Sequence, residues 1–104
     1  MIYTHYMVGI TYTEEFARWL KRLRDKEAKA RIIRRIDRVK HFGNFGDAES
    51  VGGGVYEMKI DYGPGYRLYY ANRSNEIILL LLGGDKSAQK RDIAKAKMLN
   101  GNYE

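Results

Sequence analysis

Apolar and polar residues alternate over 55–61, where Tyr56, Met58 and Ile60 interleave with Glu57, Lys59 and Asp61. They alternate again from Tyr66, where Tyr66, Leu68 and Tyr70 interleave with Arg67, Tyr69 and Ala71. A period of two marks a strand with one buried face. Between the two runs stands Gly63-Pro64-Gly65. Two glycines can supply positive φ and the proline fixes its own, so the pattern predicts a hairpin with a three-residue loop closed by Tyr62 and Tyr66. That register pairs Asp61 with Arg67 and Lys59 with Tyr69, and it puts Lys59, Arg67 and Tyr69 on one face. A slip of one residue would separate them. The plainer reading of the same residues is an Asp61–Arg67 cross-strand ion pair at an ordinary surface.

The rest of the chain reads as further packed elements. Tyr6–Tyr12 is rich in β-branched and aromatic residues and predicts a first strand. Thr13 can cap a helix whose first turn carries Glu14 and Glu15, and Phe16, Trp19, Leu20 and Leu23 give it an apolar stripe to about Arg24. Asp25-Lys26 breaks the stripe. A second helix follows to about Phe42, with Ile32, Ile33, Ile36 and Val39 inward and Arg31, Arg34, Arg35, Arg38 and Lys40 outward, ending at Gly43. Gly52-Gly53-Gly54 leads into the 55–61 strand or interrupts a short preceding one. Ile77–Leu82 is six consecutive apolar residues, which predicts a central strand covered on both faces. Gly83-Gly84-Asp85-Lys86 ends it, and Ser87 caps a last helix running to about residue 99. Runs of one element type followed by runs of the other indicate an α+β fold with an antiparallel sheet and helices on one face.

Composition narrows the function. The 104 residues are expected to form one domain, 1–104, with a core large enough to need no staples. The absence of cysteine excludes disulfides, thiolate metal sites and a cysteine nucleophile. His5 and His41, far apart, give little for a metal, and no cofactor is expected. No apolar run is long enough to span a bilayer, and the amino terminus lacks an export pattern, so a cytoplasmic location with no membrane partner is expected. The net charge of +6 is concentrated: residues 13–42 hold eleven of the nineteen Lys and Arg and five of the thirteen Asp and Glu. Such a surplus favours a polyanion or an acidic protein partner.

Several motifs together resemble the RelE/ParE superfamily of toxins, most closely the HigB-like addiction module killer proteins. They are the Phe16–Trp19–Leu20 stripe, Gly43-Asn44-Phe45-Gly46-Asp47, Val51-Gly52-Gly53-Gly54-Val55-Tyr56-Glu57, Tyr62-Gly63-Pro64-Gly65-Tyr66-Arg67, and Leu80-Leu81-Leu82-Gly83-Gly84-Asp85-Lys86. The resemblance covers about Thr11 to Leu99. It implies a twisted, mainly antiparallel sheet with an N-terminal helical hairpin packed on it and a C-terminal helix. It also implies a metal-independent endoribonuclease that cuts mRNA on the ribosome by attack of the 2′-hydroxyl and is held inactive by a cognate antitoxin. The alternative branch, ParE-like, shares the fold and inhibits DNA gyrase.

The resemblance assigns roles residue by residue. Arg67 matches the arginine at the scissile phosphate, Lys59 a strand lysine acting as base or charge stabiliser, and Lys86 a further basic position. Asp92 falls where RelE has a tyrosine, and no histidine lies in the segment that supplies one in HigB. Cleavage of this kind requires a base for the 2′-hydroxyl, donors for the charge on the phosphorane and an acid for the leaving oxygen. Arg67 suits the second role through its planar fork. Lys59 can serve as base only where neighbours lower its pKa. Tyr69 is placed to stack on a base, and Arg31, Arg34, Arg35 and Arg38 to meet RNA, unless they are simply a solvated helix face. The partners implied are mRNA and the ribosome, a helix-turn-helix antitoxin, and operator DNA only through the antitoxin complex.

Overall fold

The computed structural model describes residues 9–74 and 77–103. In chain order the elements are β1 (Gly9–Tyr12), α1 (Glu14–Arg22), α2 (Lys26–Phe42), β2 (Ala48–Gly52), β3 (Val55–Ile60), β4 (Tyr66–Arg73), β5 (Ile77–Asp85), a single 3-10 turn (Lys86–Ala88) and α3 (Gln89–Asn102). The expected start of β1 at Tyr6 lies outside the described residues.

Local chemistry explains most boundaries. Thr13 is fully buried. Its Oγ1 accepts the Phe16 N–H at 3.0 Å, capping α1, and donates to the Leu81 carbonyl at 2.7 Å, tying that cap to β5. Asp25, which breaks the apolar stripe, does so by capping α2: its carboxylate accepts the Glu27 and Ala28 N–H groups. Gly43 ends α2 in the left-handed conformation.

The five strands form one sheet in the order β1-β5-β4-β3-β2, antiparallel except for the parallel β1–β5 pair. The triple glycine separates β2 from β3, so it interrupts a short preceding strand rather than merely leading into the next. Both faces of the sheet are covered. On one, Phe16, Ala28, Ile32 and Val39 of α1 and α2 meet Met58, Ile60, Leu68, Tyr70, Ile78 and Leu80. On the other, Ala96 and Leu99 of α3 meet Val55, Tyr69, Ala71, Leu79 and Leu81. This corrects the expectation of helices on one face only. The uninterrupted apolar run in β5 is the reason: it offers side chains to both sides, and α3 takes the side that the helical hairpin leaves open. The central position goes to β4, with β5 beside it.

Two further boundaries differ from expectation. β5 continues through Gly83 and Gly84 to Asp85, because both glycines pair with β4. Ser87 does not cap α3: Asp85 caps the 3-10 turn, its carboxylate accepting the Ser87 N–H at 2.9 Å, and α3 follows from Ala88 with no side-chain cap. The hairpin also has a different register. Its loop is Asp61–Gly65, with Gly63 and Gly65 at φ 58° and 82°, and Lys59 pairs with Arg67 while Glu57 pairs with Tyr69. Relative to the three-residue loop this is a slip of two, which changes every partner but no face. Asp61 therefore does not face Arg67 across the strands.

Candidate functional site

The face of the sheet beneath α3 carries a transverse row of functional positions. Lys59 on β3 pairs with Arg67 on β4, and Arg67 pairs with Gly84 on β5. Paired residues share a face, so both cations point toward the α3 side. Gly84 has no side chain, and the space over it is filled by the Asp92 carboxyl from the first turns of α3; a Cβ at Gly84 would collide with Asp92 Oδ2. A Cβ on Gly65 would lie 3.4 Å from Arg67 Nη1 and 3.5 Å from Lys86 Cβ, so Arg67 and Lys86 flank the same loop glycine. Lys59, Arg67, Lys86 and Asp92 are thus gathered at one end of the sheet.

Their environments differ. Arg67 is held from below by Glu57, a carboxylate with no exposure at all: Arg67 Nε lies 3.7 Å from Glu57 Oε2, which also accepts the Gln89 Nε2–H at 2.7 Å. Glu57, Arg67 and Gln89 link β3, β4 and α3. Lys59 is partly exposed, and its Nζ lies 3.0 Å from Glu49 on β2. The hydrogen bond and charge of Glu49 raise the Lys59 pKa. A general base needs the opposite shift, so the Glu49 pairing favours the charge-stabilising role over that of base. Asp92 is 8% exposed, and burial raises its pKa, partly offset by Arg91. A carboxyl held toward its neutral form can donate a proton.

Two groups of expected RNA contacts lie elsewhere. Tyr69 is fully buried in the α3-side core, where burial, with Glu57 and Asp92 nearby, raises its pKa. Its ring is enclosed and cannot stack on a base. The arginines of α2 belong to the opposite layer of the molecule. Arg31 pairs with Glu27 at 3.0 Å and lies over the Tyr62 ring, and Arg34 reaches the same Glu27. Arg35 is committed to the fold: Nη1 donates to the Lys59 carbonyl at 2.6 Å and Nη2 to the Phe45 carbonyl at 3.0 Å. Burial, and then Arg38, lower its pKa. Arg35 is therefore an anchor for the end of β3. Arg38 shares with Arg31, Arg34 and Arg35 a recess beside Asp61.

Glu57, Glu49 and Gln89 were not singled out from the sequence. Glu57 carried a signal, since the alternation puts it on the same face as Lys59. Glu49 and Gln89 carried none, because only the β2–β3 pairing and the docking of α3 bring them near. Among the described residues no group of three or more His, Asp or Glu side chains could hold a metal ion, and no helix is long and apolar enough to cross a membrane.

An open, mostly antiparallel five-stranded sheet with helices on both faces is the fold of the solved RelE structures. Among solved structures, a double mutant of E. coli toxin RelE in the free state matches with a TM-score of 0.70 at 14% identity, over 89% of this chain and 96% of that one. A chain of the intact E. coli RelBE toxin–antitoxin complex matches with a TM-score of 0.63 at 15% identity, over 75% and 95%. Residues 18–100 match the family Phage derived protein Gp49-like (DUF891), and the chain belongs to that family. An uncharacterized protein of Haemophilus influenzae is 48% identical over 92 residues, 88% of this chain and 92% of its own length. The fold agrees with the one implied by the resemblance read from the motifs.

Proposed function

We propose that this protein is the toxin of a toxin–antitoxin pair and acts as a metal-independent endoribonuclease on mRNA. The observation that carries the reading is the direct pairing of Lys59 with Arg67 on one face, with Lys86 beside Arg67 and Asp92 over Gly84, the strand partner of Arg67. In this mechanism the 2′-hydroxyl gives its proton to a solvent water, its oxygen attacks the adjacent phosphorus and the bond to the 5′-oxygen breaks, leaving a 2′,3′-cyclic phosphate. Arg67 holds phosphoryl oxygens with its fork, and Lys59 and Lys86 balance the charge that builds on the phosphorane. Asp92, whose pKa burial raises, is placed to give a proton to the departing oxygen. A cognate antitoxin silences the protein by covering these cations or by blocking entry to the ribosome; the RelBE match supports such a partner.

Purified protein added to a translating extract is expected to leave 2′,3′-cyclic phosphate ends on messenger. Arg67→Lys, which keeps a charge against Glu57 and loses the fork, is expected to remove most of that cleavage with folding intact. Intact messenger in the presence of the folded parent protein refutes the reading. Gyrase inhibition that survives Lys59→Ala combined with Arg67→Ala would point to the ParE-like alternative.

A further inference from the structure

Beyond the four residues assigned to the reaction, a groove of about 540 Å³ runs between α1 and α3 past the carboxyl end of β5. Its walls are cationic on both sides. Arg18 and Arg22 stand one turn apart on α1, and Arg91 and Lys95 one turn apart on α3. Arg31 and Arg34 are paired with Glu27, and Lys59 with Glu49. Arg18, Arg22 and Lys95 have no such carboxylate among the described residues, and Arg91 has only Asp92, at 3.9 Å. Glu15 and Asp85 also border the groove, but the Asp85 carboxylate is engaged in capping Ser87. The floor is aromatic. The Trp19 ring sits on Gly83, where a Cβ would collide with it, and is braced by Phe16 and Tyr66 at ring separations of 5.8 and 6.2 Å. Asp92 and Gly84, the strand partner of Arg67, both line the groove, so it borders the row that holds Lys59 and Arg67.

We infer that the α1–α3 groove is a second nucleotide-binding subsite, which takes a stretch of single-stranded RNA next to the cleaved phosphate. Its cations track the sugar–phosphate backbone and Trp19 offers a surface to a base, the combination that grips single strands without reading sequence. The inference rests on the nuclease reading for its ligand, but its test needs no cleavage.

Trp19 is the only tryptophan in the chain, so its emission reports on this groove alone. The probe is a short, fully 2′-deoxy-substituted oligonucleotide that cannot be cut, titrated into the protein at several salt concentrations. Quenching of Trp19 emission is expected on binding. Arg18→Ala with Arg22→Ala, both exposed positions, is expected to weaken binding about tenfold and to lower the salt slope by about 1.4, at roughly 0.7 per lost phosphate contact on a single strand. Binding without a change in Trp19 emission, or a double variant with the parent's affinity and slope, overturns the subsite even if the protein proves to be a nuclease. An equal response to an oligoglutamate of matched charge also overturns it, because the groove would then suit an acidic polypeptide.

Discussion

Glu57 is the residue whose removal most directly tests how the cationic row is held. Its carboxylate has no exposure, accepts the Gln89 amide at 2.7 Å and lies 3.7 Å from Arg67 Nε, itself a buried atom with no hydrogen-bond partner among the described residues. In Glu57→Ala the Arg67 guanidinium, 11% exposed, would stay in the same enclosure with no opposing charge. Breaking a buried ion pair from one side costs roughly 3–5 kcal/mol. Glu57 Oε1 finds no donor among the described residues, so the carboxylate carries desolvation cost of its own, and the loss should lie at the low end, about 3 kcal/mol. At roughly 4–6 °C per kcal/mol for a domain of this size, Tm should fall by about 12–18 °C. Calorimetric and urea unfolding measure it directly. Replacing both partners, as in Glu57→Met with Arg67→Met, removes the stranded charge and should recover much of the loss, giving a coupling of more than about 1 kcal/mol in the double-mutant cycle. A Glu57→Ala variant melting within about 3 °C of the parent, or a strictly additive double variant, refutes the proposition that Glu57 anchors Arg67.

Gly84→Ala puts a methyl where Asp92 Oδ2 lies, so it should cost about 1–3 kcal/mol as overpacking and lower cleavage while RNA affinity holds; wild-type stability and rate would refute the close approach. Arg35→Ala removes two donated hydrogen bonds, to the Lys59 and Phe45 carbonyls, and should destabilise by about 2–3 kcal/mol in urea unfolding without changing the salt dependence of RNA binding. The Asp92 pKa is raised in the native state, so the native protein holds a proton there after the unfolded chain has released it, and stability falls as pH rises through that window. Asp92→Asn cannot titrate there, so its stability relative to the parent should rise as pH climbs from about 3.9, the ordinary Asp value, through the raised native pKa; a pH-independent difference in urea midpoints refutes the shift.

The period-two runs, the apolar stripe of α1 and the caps at Thr13 and Gly43 were legible along the chain because each is decided by neighbours a few residues away. So was the common face of Lys59 and Arg67: a strand alternates strictly, and the two-residue error in loop length left that parity unchanged. Which residues meet across the sheet was not legible. The loop between β3 and β4 closes through Asp61 and Tyr62 as well as the glycines, and that choice turned the expected Lys59–Tyr69 neighbours into Lys59–Arg67. Burial was the other decision left to the tertiary structure. Tyr69 and Lys59 share a face, yet α3 closes over one and leaves the other at the edge, and Arg35 differs from Arg34 only in what it reaches across space. The sequence by itself determined most of the elements and their apolar faces, since these follow from local periodicity and short motifs. Register, the side taken by α3, and the surroundings that raise the pKa of Lys59 and Asp92 came from contacts between residues distant in the chain, which packing alone brings within range.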